Sequence, residues 1–231
     1  MLFRSSNKNW LPHHTEGTPE TGGDQFPVAT LKAKLEHSWM GRIKRLLFGR
    51  SWLSKLFVPL KKLGRLVFGD TQKVVRSGNW HGNDTCWRMV VDLNKCLFHF
   101  DGAGLPRTKP LRYLAVVDAI IAGEGNGPMS PDAKACGLIV AGTNPLAVDS
   151  VCCALMGFDW NKVKMLVGAF AVKAKRIAGF GYEDIRVVSN DASKAKLLSE
   201  YGPADGLGFK PHFGWVGAVE MNGISTEAYD L

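Results

Sequence analysis

The sequence contains no run of eighteen uncharged apolar residues, so no membrane-spanning helix is expected. Its first residues, MLFRSSNKNWLPHH, lack the apolar stretch of a secretory signal, and a cytoplasmic protein is expected. Cysteine is sparse and irregular. The five are Cys86, Cys96, Cys136, Cys152 and Cys153, with no CxxC pair. That pattern argues against a disulfide framework and an iron–sulfur cluster, and predicts reduced thiols filling small apolar sites. No GxSxG, HExxH or Gly-Lys-Ser/Thr phosphate loop is present, which removes the common serine-hydrolase, zinc-protease and P-loop readings.

Acid is nearly absent from one segment. Between Lys32 and Val67 stand ten Lys/Arg against the single acid Glu36, which leaves 19 bases and 20 acids for the rest of the 231 residues. The net charge of +8 therefore belongs to this segment. Apolar residues Trp39, Ile43, Leu46, Leu47, Leu56, Leu60, Leu63 and Val67 recur there at three- and four-residue steps, the period of an amphipathic helix. Pro59 starts a new helix or kinks the old one. Three roles fit: a lid with its apolar side on the core, a helix lying on an anionic membrane surface at the inner face, or a nucleic-acid contact. The last is disfavoured, because no nucleic-acid-reading module accompanies it.

Three regions follow from composition. Residues 1–30 are a polar loop segment, 31–70 a basic amphipathic helical insertion, and 71–231 an α/β core. Within the core, residues 83–100 read as a helix capped by Asn83 or Asp84, with Val90, Leu93, Leu97 and Phe100 on its apolar face. Residues 112–120 and 137–142 read as buried strands separated by a glycine-rich loop, GEGNGPMSPDAK. Thr143 or Asn144 caps the next helix, Pro145 occupies its first position and Gly157 ends it. A helix at 161–177, a third strand at 181–189 and an aromatic, glycine-rich closing tail at 208–220 complete the reading. The expected fold is α/β, a mixed or mostly parallel sheet flanked by helices.

Carboxylates gather near the glycines. Asp118 ends the first expected strand, Glu124 and Asn126 lie in the loop after it, and Asp149 lies near the start of the following helix. Open α/β sheets bind ligands at such strand ends. Asp118, Glu124 and Asp149 would serve as acid/base groups or hold Mg²⁺ or Mn²⁺ through hard oxygen donors. Alternatively, Asp118 and Asp149 brace the loop through its amides. Thr143 and Asn144 open a helix and would hold an anion at its N-terminus, or simply cap it. Asn83, Asp84 and Arg88 place polar groups at another helix start, where Arg88 would anchor an anion. His13 and His14 are adjacent loop histidines suited to an acid/base or ligand role with a distant partner, or to solvent exposure.

The segments VDAIIAGEGNGP, GLIVAGTNPLAVDSVCCALMGFD and GYEDIRV together resemble the bacterial family called domain of unknown function 362. NKNWLPHHTEGTPETGGDQFP and GNWHGNDTCWRMVVDLN are similar to upstream segments of that family. Members usually carry an N-terminal portion with Lys-Pro-Asn and Pro-Lys-x-Lys-x-His type motifs, and some carry a ferredoxin-like insert. The resemblance thus implies the C-terminal half to two-thirds of such a protein, without the insert. Two functions are expected to compete. One is an enzyme, or an enzyme half, binding a small anionic or sugar-like ligand near the membrane. The other is a non-catalytic scaffold docked on a membrane or partner through 31–70.

Overall fold

A computed structural model describes residues 15–16, 78–128 and 130–223. The basic segment at 31–70 lies outside the described residues, as do His13 and His14. The element order is helix α1 (Cys86–His99), strands β1 (Ala115–Asn126) and β2 (Ser130–Gly142), then helix α2 (Pro145–Met156). A 3-10 turn at Trp160–Lys162 and helix α3 (Lys164–Ala171) follow. The remainder wraps these elements through short 3-10 turns. The class is mixed α/β.

α2 sits at the centre because it is apolar nearly all round, and such helices are buried. Leu146 and Cys153 join Val91 of α1 and Leu166 and Ala169 of α3 in one core cluster. Val151 and Ala154 meet Ile185, Leu198 and Tyr201 in a second. Local chemistry sets the ends of α2 as the sequence predicts. The Asn144 side chain accepts from the amides of Leu146 and Ala147, Pro145 occupies the first turn, and Gly157 closes the helix at φ 86°. α1 and α3 approach closely enough that a Cβ on Gly168 would lie 2.3 Å from the Trp87 ring. Glycine is the residue that permits this contact.

Among the described residues the sheet is two-stranded and antiparallel, running from Ala115↔Gly142 to Asn126↔Ser130. The expected mixed or mostly parallel sheet is not seen among the described residues, whose one strand pairing is antiparallel. The glycine-rich stretch read as a loop is the outer half of a long hairpin, whose turn begins with the cis Gly127–Pro128 peptide. A bulge sets Cys136 and Gly137 of β2 against Ile120 of β1, and Gly137 takes the left-handed conformation, φ 67°, that such a bulge favours. Val140 packs towards α2, while Val116 and Ile139 face out.

Three further expectations change. α1 is turned from its expected face: Val91 is buried, whereas Leu93 and Leu97 are exposed. The inward stripe carries the charged Arg88 and Lys95, each paired inside the protein. α3 is shorter than 161–177, because Val172 turns to extended backbone and buries its side chain. Residues 181–189 do not form a strand; they make a 3-10 turn and one bridge, Arg186↔Leu197, so no full-length partner completes a ladder. The tail does pack back, burying Phe209 and Val219 and bonding to residues 155–159.

Candidate functional site

The site is an open cleft of about 330 Å³ between α2, the start of α3 and the tail. α2 contributes Asp149, Cys152, Cys153 and Met156 at helical spacing, so these side chains share one face. Val163, Met165 and Leu166 form the second wall. The tail closes the third with Pro211, His212, Trp215 and Val219, and Asn79 reaches in from the segment before α1.

Asp149 is the acid in this apolar surround. Its side chain reaches solvent on one side, and the crowding of the cleft on the other raises its carboxyl pKa by desolvation. Among the described residues no hydrogen-bond or ion-pair partner meets the carboxylate. Burial also pushes the Cys152 thiol up to about 11, helped by the negative charge of Asp149, and the Cys153 thiol up to about 12. Both are protonated at neutral pH and poor nucleophiles. Burial lowers the His212 pKa, opposed by a hydrogen bond to the Asn79 backbone. His212 Nδ1 accepts from the Gly214 amide at 3.2 Å, which fixes a neutral tautomer. Trp215 Nε1 donates to Asn79 Oδ1 at 2.7 Å, and the His81 amide donates to the Gly214 carbonyl at 3.1 Å. These bonds lock the tail against residues 79–81 and shape the wall of the cleft.

The other sequence candidates lie elsewhere. Asp118 is exposed in mid-strand, and its Oδ1 accepts from the Ile120 amide at the bulge, 3.1 Å away. Glu124 is half-buried near the hairpin tip. It pairs with Lys134 at 3.1 Å and accepts from the Lys210 amide at 3.0 Å, one residue before Pro211 of the cleft. Asn126 is exposed at the strand end. The antiparallel hairpin explains the separation: Glu124 sits near the tip, whereas α2 leaves from the base. Among the described residues no three His, Cys, Asp or Glu side chains gather as metal ligands.

Asn83 Oδ1 accepts from the Thr85 and Cys86 amides at 3.1 and 2.9 Å, so it caps α1 from outside while Thr85 holds the N-cap position. Asp84 receives the Trp87 indole at 2.7 Å and Arg88 Nη2 at 2.8 Å. Arg88 also donates from Nε to the Asp84 carbonyl and from Nη1 to the Glu16 carbonyl. Thr15 and Glu16, next to the two histidines in sequence, dock on Asp92 and buried Lys95. Thr143 is exposed. Asn144 caps α2 and donates to the Ile177 carbonyl at 2.9 Å.

The sequence reading singled out Asp149 but passed over His212, Trp215 and Met165. The one signal was the unusual tail, where a histidine and a tryptophan interrupt glycines.

Fold and site together define a mixed α/β protein with an apolar cleft around one carboxylate. The chain belongs to the family Domain of unknown function (DUF362), whose match covers residues 31–154, just over half of it. The match takes in α1, the hairpin and Asp149, and stops before the second and third walls of the cleft. No match was found among curated proteins or solved structures. Among the described residues no helix is long and apolar enough to cross a membrane.

Proposed function

We propose that the cleft binds a small organic molecule and that Asp149 exchanges a proton with it, as the acid/base group of an enzyme. The observation that carries this reading is the carboxylate itself, held in an apolar cleft without a partner among the described residues. Desolvation on the cleft side raises the carboxyl pKa although the group is open to solvent, and pKa values displaced in this way cluster where proton transfer is needed. The cleft volume falls in the range of small-molecule sites, and its mixture of apolar walls and few polar groups is typical of them. His212 is the brace that holds the wall, since its ring is engaged on both sides. Glu124 is a positioning residue that anchors the tail through Lys210.

Ligand-observed NMR of a fragment library tests the reading. Fragments are expected to bind the wild-type chain and to be lost on Met165→Trp, which fills the cleft from its half-buried rim. Equal binding to both proteins overturns it.

The charge distribution favours a second reading, in which the segment from Lys32 to Val67 brings the protein to an anionic membrane surface. Flotation with phosphatidylglycerol vesicles at low salt should carry the protein upward, and high salt should release it. Failure to float at low salt removes this reading and leaves the cleft untouched.

A further inference from the structure

Among the described residues that line it, the cleft contains one carboxylate and no opposing charge. The lining groups that can ionise are Asp149, Cys152, Cys153 and His212. The first three offer negative charge or none, and His212 is tied by the Gly214 amide on one ring nitrogen. The two lysines that flank Val163 of the cleft wall in sequence are engaged elsewhere: Lys164 faces Asp84 at 3.6 Å, and Lys162 donates to the Glu220 carbonyl at 2.7 Å.

A ligand entering this space meets a clear selection. An anion would bring like charge against Asp149 in a partly desolvated setting, where repulsion is stronger than in water. A neutral apolar molecule would cover the carboxylate and leave it without water or a partner, which is costly. A cation would supply the missing partner and form a charge-assisted hydrogen bond. The walls also suit a cation. Trp215 and Phe158 present aromatic rings, and Met156 and Met165 present polarizable thioethers.

Resting on the cleft reading above, we propose that the Asp149 cleft is an amine site. It takes a compact molecule with a protonated nitrogen directed at the Asp149 carboxylate and an apolar body against Met156, Phe158, Met165 and Trp215.

Three probes of one shape test this: benzylamine, benzyl alcohol and benzoate, titrated by ligand-observed NMR at pH 7.5 against the whole chain. Benzylamine is expected to bind about tenfold more tightly than the alcohol, the step one charge-assisted contact supplies, and benzoate more weakly than both. Asp149→Asn should bring benzylamine down to the alcohol's affinity and leave the alcohol unchanged. In the unmutated protein, acidification that protonates Asp149 should weaken benzylamine alone, which keeps the proposal testable if the variant folds poorly. Benzoate binding as tightly as benzylamine, or unchanged benzylamine affinity in Asp149→Asn, overturns the amine site. Equal binding of all three overturns the charge selection while the cleft stands. Binding by none of them removes both.

Discussion

Two carboxylates near helix starts, Asp84 before α1 and Asp149 in α2, have opposite surroundings. Asp84 is buried and fully engaged: an indole, a guanidinium and a lysine 3.6 Å away converge on it. Asp149 lies against apolar walls and has no partner among the described residues. From sequence the first looks richer, because Asn83, Asp84, Trp87 and Arg88 crowd into one turn. In the fold that crowding is spent on holding α1 to its neighbours. Polar density alone therefore marks a brace, and an exposed carboxylate without a partner among the described residues, set against apolar cleft walls, is the better pointer to chemistry.

The largest expected effect breaks the satisfied end. Asp84→Ala leaves Arg88 buried without its carboxylate and should destabilise the fold by about 3 kcal/mol. Urea unfolding followed by tryptophan fluorescence measures it. A loss near zero would mean that Arg88 is satisfied by the backbone carbonyls of residues 84 and 16 and by water, and the contrast between the two sites would collapse.

Next is the link between the hairpin and the cleft. Glu124→Ala removes the Lys134 pair and the acceptor for the Lys210 amide, and a hydrogen bond to a charged group suggests a loss of about 2 kcal/mol. Because Lys210 precedes the cleft wall, hydrogen exchange should also rise at residues 210–215. Destabilisation without that local change would restrict Glu124 to the hairpin.

The legible parts of the fold are those written locally. Asn144, Pro145 and Gly157 specify α2 within a single segment, and the structure places each where capping chemistry requires. Two of the three expected strands were legible in part, at 112–120 and 137–142, but their length and pairing were not. Gly123, Gly125, Pro128 and Pro131 imitate a loop, and only the cross-strand register from Gly123↔Ala133 to Asn126↔Ser130 reveals a hairpin. The face of α1 was misplaced for a similar reason. Burial of Arg88 and Lys95 depends on Asp84 and Glu16, the latter far away in sequence. Half of the cleft was legible through Asp149. The other half comes from His212 and Trp215, brought in by bonds to residues 79–81 that no spacing rule predicts.

The smallest expected effect tests the solvent-facing end. Burial raises the folded-state pKa of Asp149 above the ordinary 3.8. The fold thus prefers the protonated form: the associated stability is intact below pH 3.8 and is lost as pH rises through the folded-state value. At neutral pH the ionised carboxylate is a burden, lightened by its open side. Asp149→Asn keeps the shape and removes the charge, so it should raise stability at pH 7 by up to about 0.5 kcal/mol, the usual range for a partly exposed position. The gain should shrink as pH falls towards 3.8, because the raised pKa lets the wild-type group take up its proton progressively over that range. Urea midpoints of both proteins at pH 7 and near pH 4 measure it. A variant less stable than wild type at pH 7 would show that the carboxylate is held by a favourable partner, which would make Asp149 another brace like Asp84. A variant that is more stable yet loses the amine would fit a residue kept for binding at the expense of the fold.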